Sequence, residues 1–184
     1  GPPQNNMKLL RIGKPNQEKP ALVDKDGSLI DLSSILADLN SATINDETID
    51  KINNTDIRKL PKISDEIRIG PCVSDPQKFI GIGLNYSDHA EETGVKPPNE
   101  PIIFIKANSC ISGPNDNIIL PKNSFKTDWE VELGIVIGKK AKYISKKESS
   151  EYIFGYCVVN DISEREFQIE RSGQWDKGKG CDTF

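Results

Sequence analysis

The chain has 184 residues, 35% hydrophobic and 28% charged, with a net charge of -4. A pI near 5.2 and a mean hydropathy of -0.51 argue against nucleic acid or an anionic membrane as a partner, and no apolar run reaches the roughly 20 residues that cross a bilayer. A single histidine excludes His-rich zinc sites, and four scattered cysteines lack metal-finger spacing, so an oxygen-ligand metal is the kind left open.

Without a signal-type pattern at its start, the chain is expected in the cytoplasm. Residues 1–6 precede Met7, the only methionine, and read as an expression remnant. Residues 7–72 then read as a small N-terminal α+β domain. Lys8–Ile12 suits a strand, and Ala21–Val23 with Ser28–Ile30 flank Asp26-Gly27, a hairpin signal. Ser33 is placed to cap a short helix over Ile35–Leu39, and Asp46–Asn53 suits another. The stretch through Pro61, Pro71 and Pro76 reads as a connection. Cys72, Cys110, Cys157 and Cys181 are expected as reduced, mostly buried thiols.

Residues 73–184 carry the chemistry. Phe79–Leu84 is a glycine-containing strand, and the last part of Asn85–Gly94 suits a short helix, ended by Gly94, on which His89 and Glu92 would be neighbours. There the carboxylate could orient the imidazole, or the two could form an ordinary surface pair. Ile102–Ile105 reads as a buried strand ending at Lys106, and Ile118–Leu120 as another.

Thr127–Gly138 reads as one strand, and alternation sends Glu130 and Glu132 to one face and Trp129, Val131 and Leu133 to the other. Like charges on one face repel, and a hard divalent cation would reverse the sign of that interaction. A solvent-facing strand with its polar residues outward is the alternative. Ser145–Tyr152 is expected to be helical, and Phe154–Asn160 forms an apolar strand that delivers Asp161. Asp161–Arg171 reads as a helix stopped by Gly173, with Asp161, Arg165 and Gln168 on one face, able to hold a metal and grip a carboxylate, or else an N-cap followed by surface residues. Lys179, between two glycines, could approach a ligand closely or sit in an exposed turn.

Five motifs in order, Gly83–His89, Pro101–Lys106, Asp128–Leu133, Asn160–Arg165 and Lys177–Phe184, make residues 79–184 resemble the catalytic domain of the fumarylacetoacetate hydrolase superfamily. The resemblance implies a mainly β, α+β fold: a mixed β-roll or β-sandwich catalytic domain, C-terminally incomplete because family members continue beyond the position of Phe184. It implies a homodimer, and Mg²⁺ or Mn²⁺, with Ca²⁺ able to stand in, on Glu130, Glu132 and Asp161. It gives Arg165, Gln168 and Lys106 to the substrate, and His89, Glu92 and Lys179 to catalysis. The substrate class is a small 2-oxo acid, hydrolysed or cleaved at a C–C bond. The motifs look most like bacterial members labelled ureidoglycolate lyase, a C–N lyase, and decarboxylase or isomerase chemistry also occurs in the family. A non-catalytic metal-binding fragment is the rival of another class. Gly180 departs from the serine that many members carry.

Overall fold

The computed structural model describes residues 7–63, 66–88, 92, 94, 96 and 98–184. The fold is mixed α/β and mainly β. It divides into two compact units, each assembled from separate stretches of chain: residues 1–76, 112–116 and 133–159 in one, and 77–111, 117–132 and 160–184 in the other.

In the first unit, β1 (Lys8–Ile12), β2 (Lys19–Val23), β3 (Leu29–Asp31) and β4 (Lys62–Ile63) form an antiparallel sheet in that order. The expected Asp-Gly hairpin is present. Asp24 closes it by accepting from the Asp26 and Ser28 N–H groups at 2.9 and 2.8 Å, and Gly27 takes φ +82°. Alternate residues of β2 and β3 send Leu22 and Ile30 into a core with Leu32, Leu36, Leu39 and Ile52. Ile52 comes from α1 (Asp46–Asn53), whose N-terminus is capped by the Asn45 side chain accepting from the Thr48 N–H at 3.0 Å.

No helix forms over Ile35–Leu39. Asp31 rather than Ser33 takes a free N–H, that of Ser33 at 2.8 Å, and the chain turns tightly enough to bury Leu36 and Leu39 without helical continuation. Asp38 leaves this turn to meet the buried Arg11, at 2.7 Å to Nε and 3.1 Å to Nη2. The helix expected over Ser145–Tyr152 shrinks to a 3₁₀ turn at Ser149–Tyr152, because Glu148 accepts from the Ser145 N–H and hydroxyl and ties the preceding chain into a local loop. That loop joins β8 (Val131–Ile137) to its partner β9 (Ile153–Asn160). Of the cysteines, all of them free thiols, only Cys110 is buried; the other three are half-buried.

In the second unit, β5 (Ile80–Gly83) pairs antiparallel with β6 (Ile102–Ile105), and β7 (Thr127–Asp128) with β10 (Ser163–Glu164). Strand β6 is not wholly buried as expected: Phe104 points inward while Ile103 and Ile105 face out. Ile118–Leu120 forms no strand, and its Ile119 N–H is taken by the Thr183 hydroxyl at 2.9 Å. The helix expected over Asp161–Arg171 is replaced by β10 and a π-helical turn at Glu166–Glu170. The cause is Glu164, fully buried, whose carboxylate accepts from the Ser124 hydroxyl and from the Lys126 and Glu166 N–H groups at 3.1 and 2.8 Å. Those bonds fasten it to the chain leading into β7, which an α-helix beginning at Asp161 could not do.

Behind the π-helical turn lies the short helix Asp176–Lys179. Gly178 allows the two to touch: a Cβ there would stand 2.3 Å from the Glu164 carbonyl oxygen and 2.6 Å from the Gln168 nitrogen, both backbone atoms that cannot swing away. At Gly180 a Cβ would come no closer than 3.4 Å, an ordinary contact.

Two outcomes follow. Partial burial pushes the Asp38 carboxyl up, but the Arg11 hydrogen bonds, the Leu39 N–H and the Arg11 charge pull it further down, so its folded value lies below the ordinary one. The stability it contributes is present above the unfolded value of about 3.9 and is lost as pH falls through the lower folded value. Asp38→Asn should therefore cost about 1–3 kcal/mol of unfolding free energy near pH 7, read by urea denaturation. The gap should close in acid, and equal stability at pH 7 would remove Asp38 from the account. The second concerns packing: Gly178→Ala should destabilise by about 1–3 kcal/mol, whereas Gly180→Ala should stay within about 0.5 kcal/mol of the parent. Equal effects at both positions would mean that close approach is not what Gly178 provides.

Candidate metal centre

The strand expected over Thr127–Gly138 is interrupted: β7 ends at Asp128 and β8 begins at Val131. At the break, the Glu130 N–H donates to the Asn160 side-chain oxygen at 3.0 Å, and the Glu130 carbonyl accepts from the Asp161 N–H at 2.8 Å. Two acidic residues 31 positions apart are thus locked side by side by backbone bonds. Alternation brings Glu132 to the same side, and one carboxylate oxygen each from Glu130, Glu132 and Asp161 lies within 4.8 Å of the others. Trp129, Val131 and Leu133 occupy the opposite face and are exposed, Trp129 by 73%.

Cations surround this cluster. Lys106 reaches Asp161 Oδ1 at 2.6 Å and the Ile162 carbonyl at 3.1 Å, and Lys179 reaches Asp161 Oδ2 at 2.9 Å and Glu130 Oε2 at 3.4 Å. Both ammonium groups are deeply buried, with Lys179 2% exposed and standing 4.8 Å from the centre of the Phe104 ring. Arg165 forks among three acceptors: Glu130 Oε2 at 2.9 Å, Gln168 Oε1 at 2.9 Å and Asp128 Oδ2 at 3.3 Å. Glu132 is reached by the Asn85 amide at 3.1 Å, which also donates to the Ile82 carbonyl at 3.0 Å. Leu84 bends the chain there with φ +50°, a conformation uncommon for a branched residue and the kind of strain that gathers at functional sites.

The charges follow from these contacts. Burial pushes Glu130 up, but the hydrogen bond it shares with Glu132, the Arg165 bond and the Lys179 charge prevail and hold it at about 2. Burial raises Glu132 as well, the Glu130 contact adds to it, and the Asn85 bond only partly compensates, leaving it at about 7. Burial and their shared contact thus separate two neighbouring carboxyls, and of the two only Glu130 is ion-paired among the described residues.

Glu130, Glu132, Asp161, Arg165, Gln168, Lys106 and Lys179 thus converge. Arg165 and Gln168 join Asp161 through β10 and the π-helical turn instead of along one helix face. His89 lies outside the described residues, and Glu92 is exposed. Sequence reasoning gave no role to Asn85, Asn160, Asp128 or Glu164. Asn85 and Asn160 stand in two of the motifs, beside or near acidic residues, and that adjacency was the available signal. For Glu164 none existed, since nothing in its spacing marks it as buried.

A family model described as fumarylacetoacetate (FAA) hydrolase C-terminal matches residues 78–184. A protein from Burkholderia multivorans, provisionally named a hydrolase, is 56% identical over 178 residues, covering 97% of this chain and 63% of its own. The chain therefore spans less than two thirds of the length of that relative. Among solved structures, a fumarylacetoacetate hydrolase from Exiguobacterium antarcticum superposes with TM-score 0.80 at 27% identity, covering 97% of this chain and 63% of that one. A 5-carboxymethyl-2-hydroxymuconate delta-isomerase from Mycobacterium smegmatis superposes with TM-score 0.68 at 31% identity, covering 96% and 62%. With the motifs, the carboxylate cluster and a matching family model in one stretch, the chain belongs to the fumarylacetoacetate hydrolase family.

Proposed function

We infer that this chain belongs to a divalent-metal-dependent hydrolase that cleaves a C–C bond in a small 2-oxo acid of the acylpyruvate type. The observation that carries the reading is the convergence of three carboxylates with two buried lysines and an arginine. The hydrolase name of the similar Burkholderia protein supports the reaction class.

The residues fit a hard cation. All three donors are carboxylate oxygens, and the half-buried Glu132, pushed up to about 7 by burial and by the neighbouring Glu130, is the carboxyl whose charged form a hard cation such as Mg²⁺ or Mn²⁺ would favour. When bound, such an ion would polarise the keto group of a 2-oxo acid and stabilise negative charge developing there. The chain's own groups supply the rest. Lys179 adds fixed positive charge beside the cluster, and its burial strengthens that effect. Arg165, held by Gln168 and Asp128, presents a planar fork suited to the substrate carboxylate. Lys106 holds Asp161 in place. His89, oriented by Glu92, is assigned the proton: it takes one from water for hydrolysis and returns it to the released carbon.

Isomerase chemistry is the second reading, favoured by the name of the similar Mycobacterium smegmatis enzyme. It needs the same enolate stabilisation, but His89 would shuttle a proton between carbons. The ureidoglycolate lyase reading rests on motif likeness alone.

Calorimetric titration with Mg²⁺ tests the centre: Glu132→Gln should weaken binding about tenfold or more. Affinity equal to the parent's would return Glu130 and Glu132 to an ordinary polar face. Turnover tests the proton: His89→Ala in the full-length protein should lower kcat roughly 10²- to 10⁴-fold on the reacting substrate, with Mg²⁺ affinity unchanged. An acylpyruvate, a muconate-type isomerase substrate, oxaloacetate and ureidoglycolate are assayed in parallel. Full turnover by His89→Ala on whichever reacts would give the proton to another group, and reaction of ureidoglycolate alone would overturn the C–C hydrolase.

A further inference from the structure

Two half-buried thiols belong to the first unit and enter none of the chemistry assigned to the carboxylate cluster. Cys157 lies in β9. Cys72 follows Gly70 and Pro71, a segment fixed to β1 by the Gly70 N–H on the Arg11 carbonyl at 2.8 Å and by Arg11 Nη1 on the Pro71 carbonyl at 3.1 Å. The two thiols are near enough for each to perturb the other. Both line one cavity of about 340 Å³, walled by Met7, Leu39, Val136 and Phe154. Gly134 faces Cys157 with bare backbone, and a Cβ there would stand 2.7 Å from the sulfur, so the absence of a side chain keeps that space for the thiol.

From this pairing in a shared cavity, we propose that Cys72 and Cys157 are a modification site that closes reversibly to a disulfide when the protein meets a hydroperoxide. The contact already divides the roles. The neighbouring Cys157 draws the Cys72 thiol down to about 7 against the opposing effect of burial, and the same contact followed by burial pushes Cys157 up. Cys72 is the attacking sulfur and Cys157 the resolving one. In the first step the Cys72 thiolate attacks one oxygen of hydrogen peroxide; the O–O bond breaks, the departing hydroxide takes a proton to become water, and Cys72 becomes a sulfenic acid. In the second, the Cys157 sulfur attacks the Cys72 sulfur; the S–O bond breaks, and the leaving oxygen departs as water with the proton that Cys157 gives up. Overall, two thiols and one hydrogen peroxide give one disulfide and two waters: the sulfurs are oxidised by two electrons and the peroxide is reduced. A small thiol reverses it by exchange.

The cavity that both side chains line gives each sulfur open space on one side, which closure to a disulfide requires. Cys110 and Cys181 are placed differently: Cys110 is fully buried, and Cys181 donates to the Lys177 carbonyl at 3.6 Å.

The test is peptide mapping of the intact chain after treatment with equimolar hydrogen peroxide, alkylation and digestion without reductant. A peptide pair joining Cys72 to Cys157 should appear, with Cys110 and Cys181 alkylated, and dithiothreitol should abolish the pair. Cys157→Ser should leave a sulfenic acid on Cys72 that dimedone captures. Cys72→Ser should slow loss of the Cys157 thiol about tenfold or more, since burial holds Cys157 above the ordinary thiol value of about 8.5. The inference is overturned if Cys110 or Cys181 is oxidised first, or if all four thiols survive a dose that oxidises a free cysteine peptide. The mapping uses the parent chain, so it decides the matter even if either variant fails to fold.

Discussion

The pairing of Asp161 with two lysines governs the site. A carboxylate this buried is tolerable only when its charge is met, and Lys106 and Lys179 meet it from opposite oxygens at 2.6 and 2.9 Å. The need runs the other way as well, since each ammonium is almost wholly removed from water and Asp161 is what makes that possible. Removing any one member strands the others. The strand β6 that leads to Lys106, the strand β9 that leads to Asp161 and the short helix that carries Lys179 are therefore tied together by charge as firmly as by packing.

Around this clamp the site keeps a gradient of satisfaction. Asp161 is held on both oxygens by ammonium groups, Glu130 is held by a guanidinium and an ammonium, and Glu132 is met by an amide. A cluster graded in this way is rigid at its base and receptive at its rim. Asp161 is fixed from both sides, whereas Glu132, the most exposed of the three carboxylates and the one met by no cation among the described residues, is the least constrained.

Much of the site could be read from the chain because its members occur in short, motif-like runs: Glu130 with Glu132, Asp161 with Arg165, Lys179 between glycines. The β2–β3 hairpin was equally legible, since an Asp-Gly turn between apolar runs fixes its own geometry. What failed was helix periodicity near buried polar groups. Asp161, Arg165 and Gln168 have helical spacing, yet the burial of Glu164 against Ser124 and Lys126 imposes a strand and a π-helical turn, and that constraint comes from residues about 40 positions away. Ile35–Leu39 failed for the same kind of reason, because the bonds of Asp31 and Asp38 outweigh a weak local preference. A unit assembled from three stretches of chain is likewise invisible to a reading that follows composition from one end to the other.

The two faces that begin at Trp129 give strand register a chemical meaning. Glu130 and Glu132 alternate with Trp129, Val131 and Leu133, so a slip of one residue would replace two anions with apolar side chains at the cluster. The hydrogen bonds from Glu130 to Asn160 and from Asp161 to Glu130 sit at the point where such a slip would start. They pin the register: a chain that paired these strands out of step could still form a sheet, but Asp161 would be left without its two carboxylate neighbours.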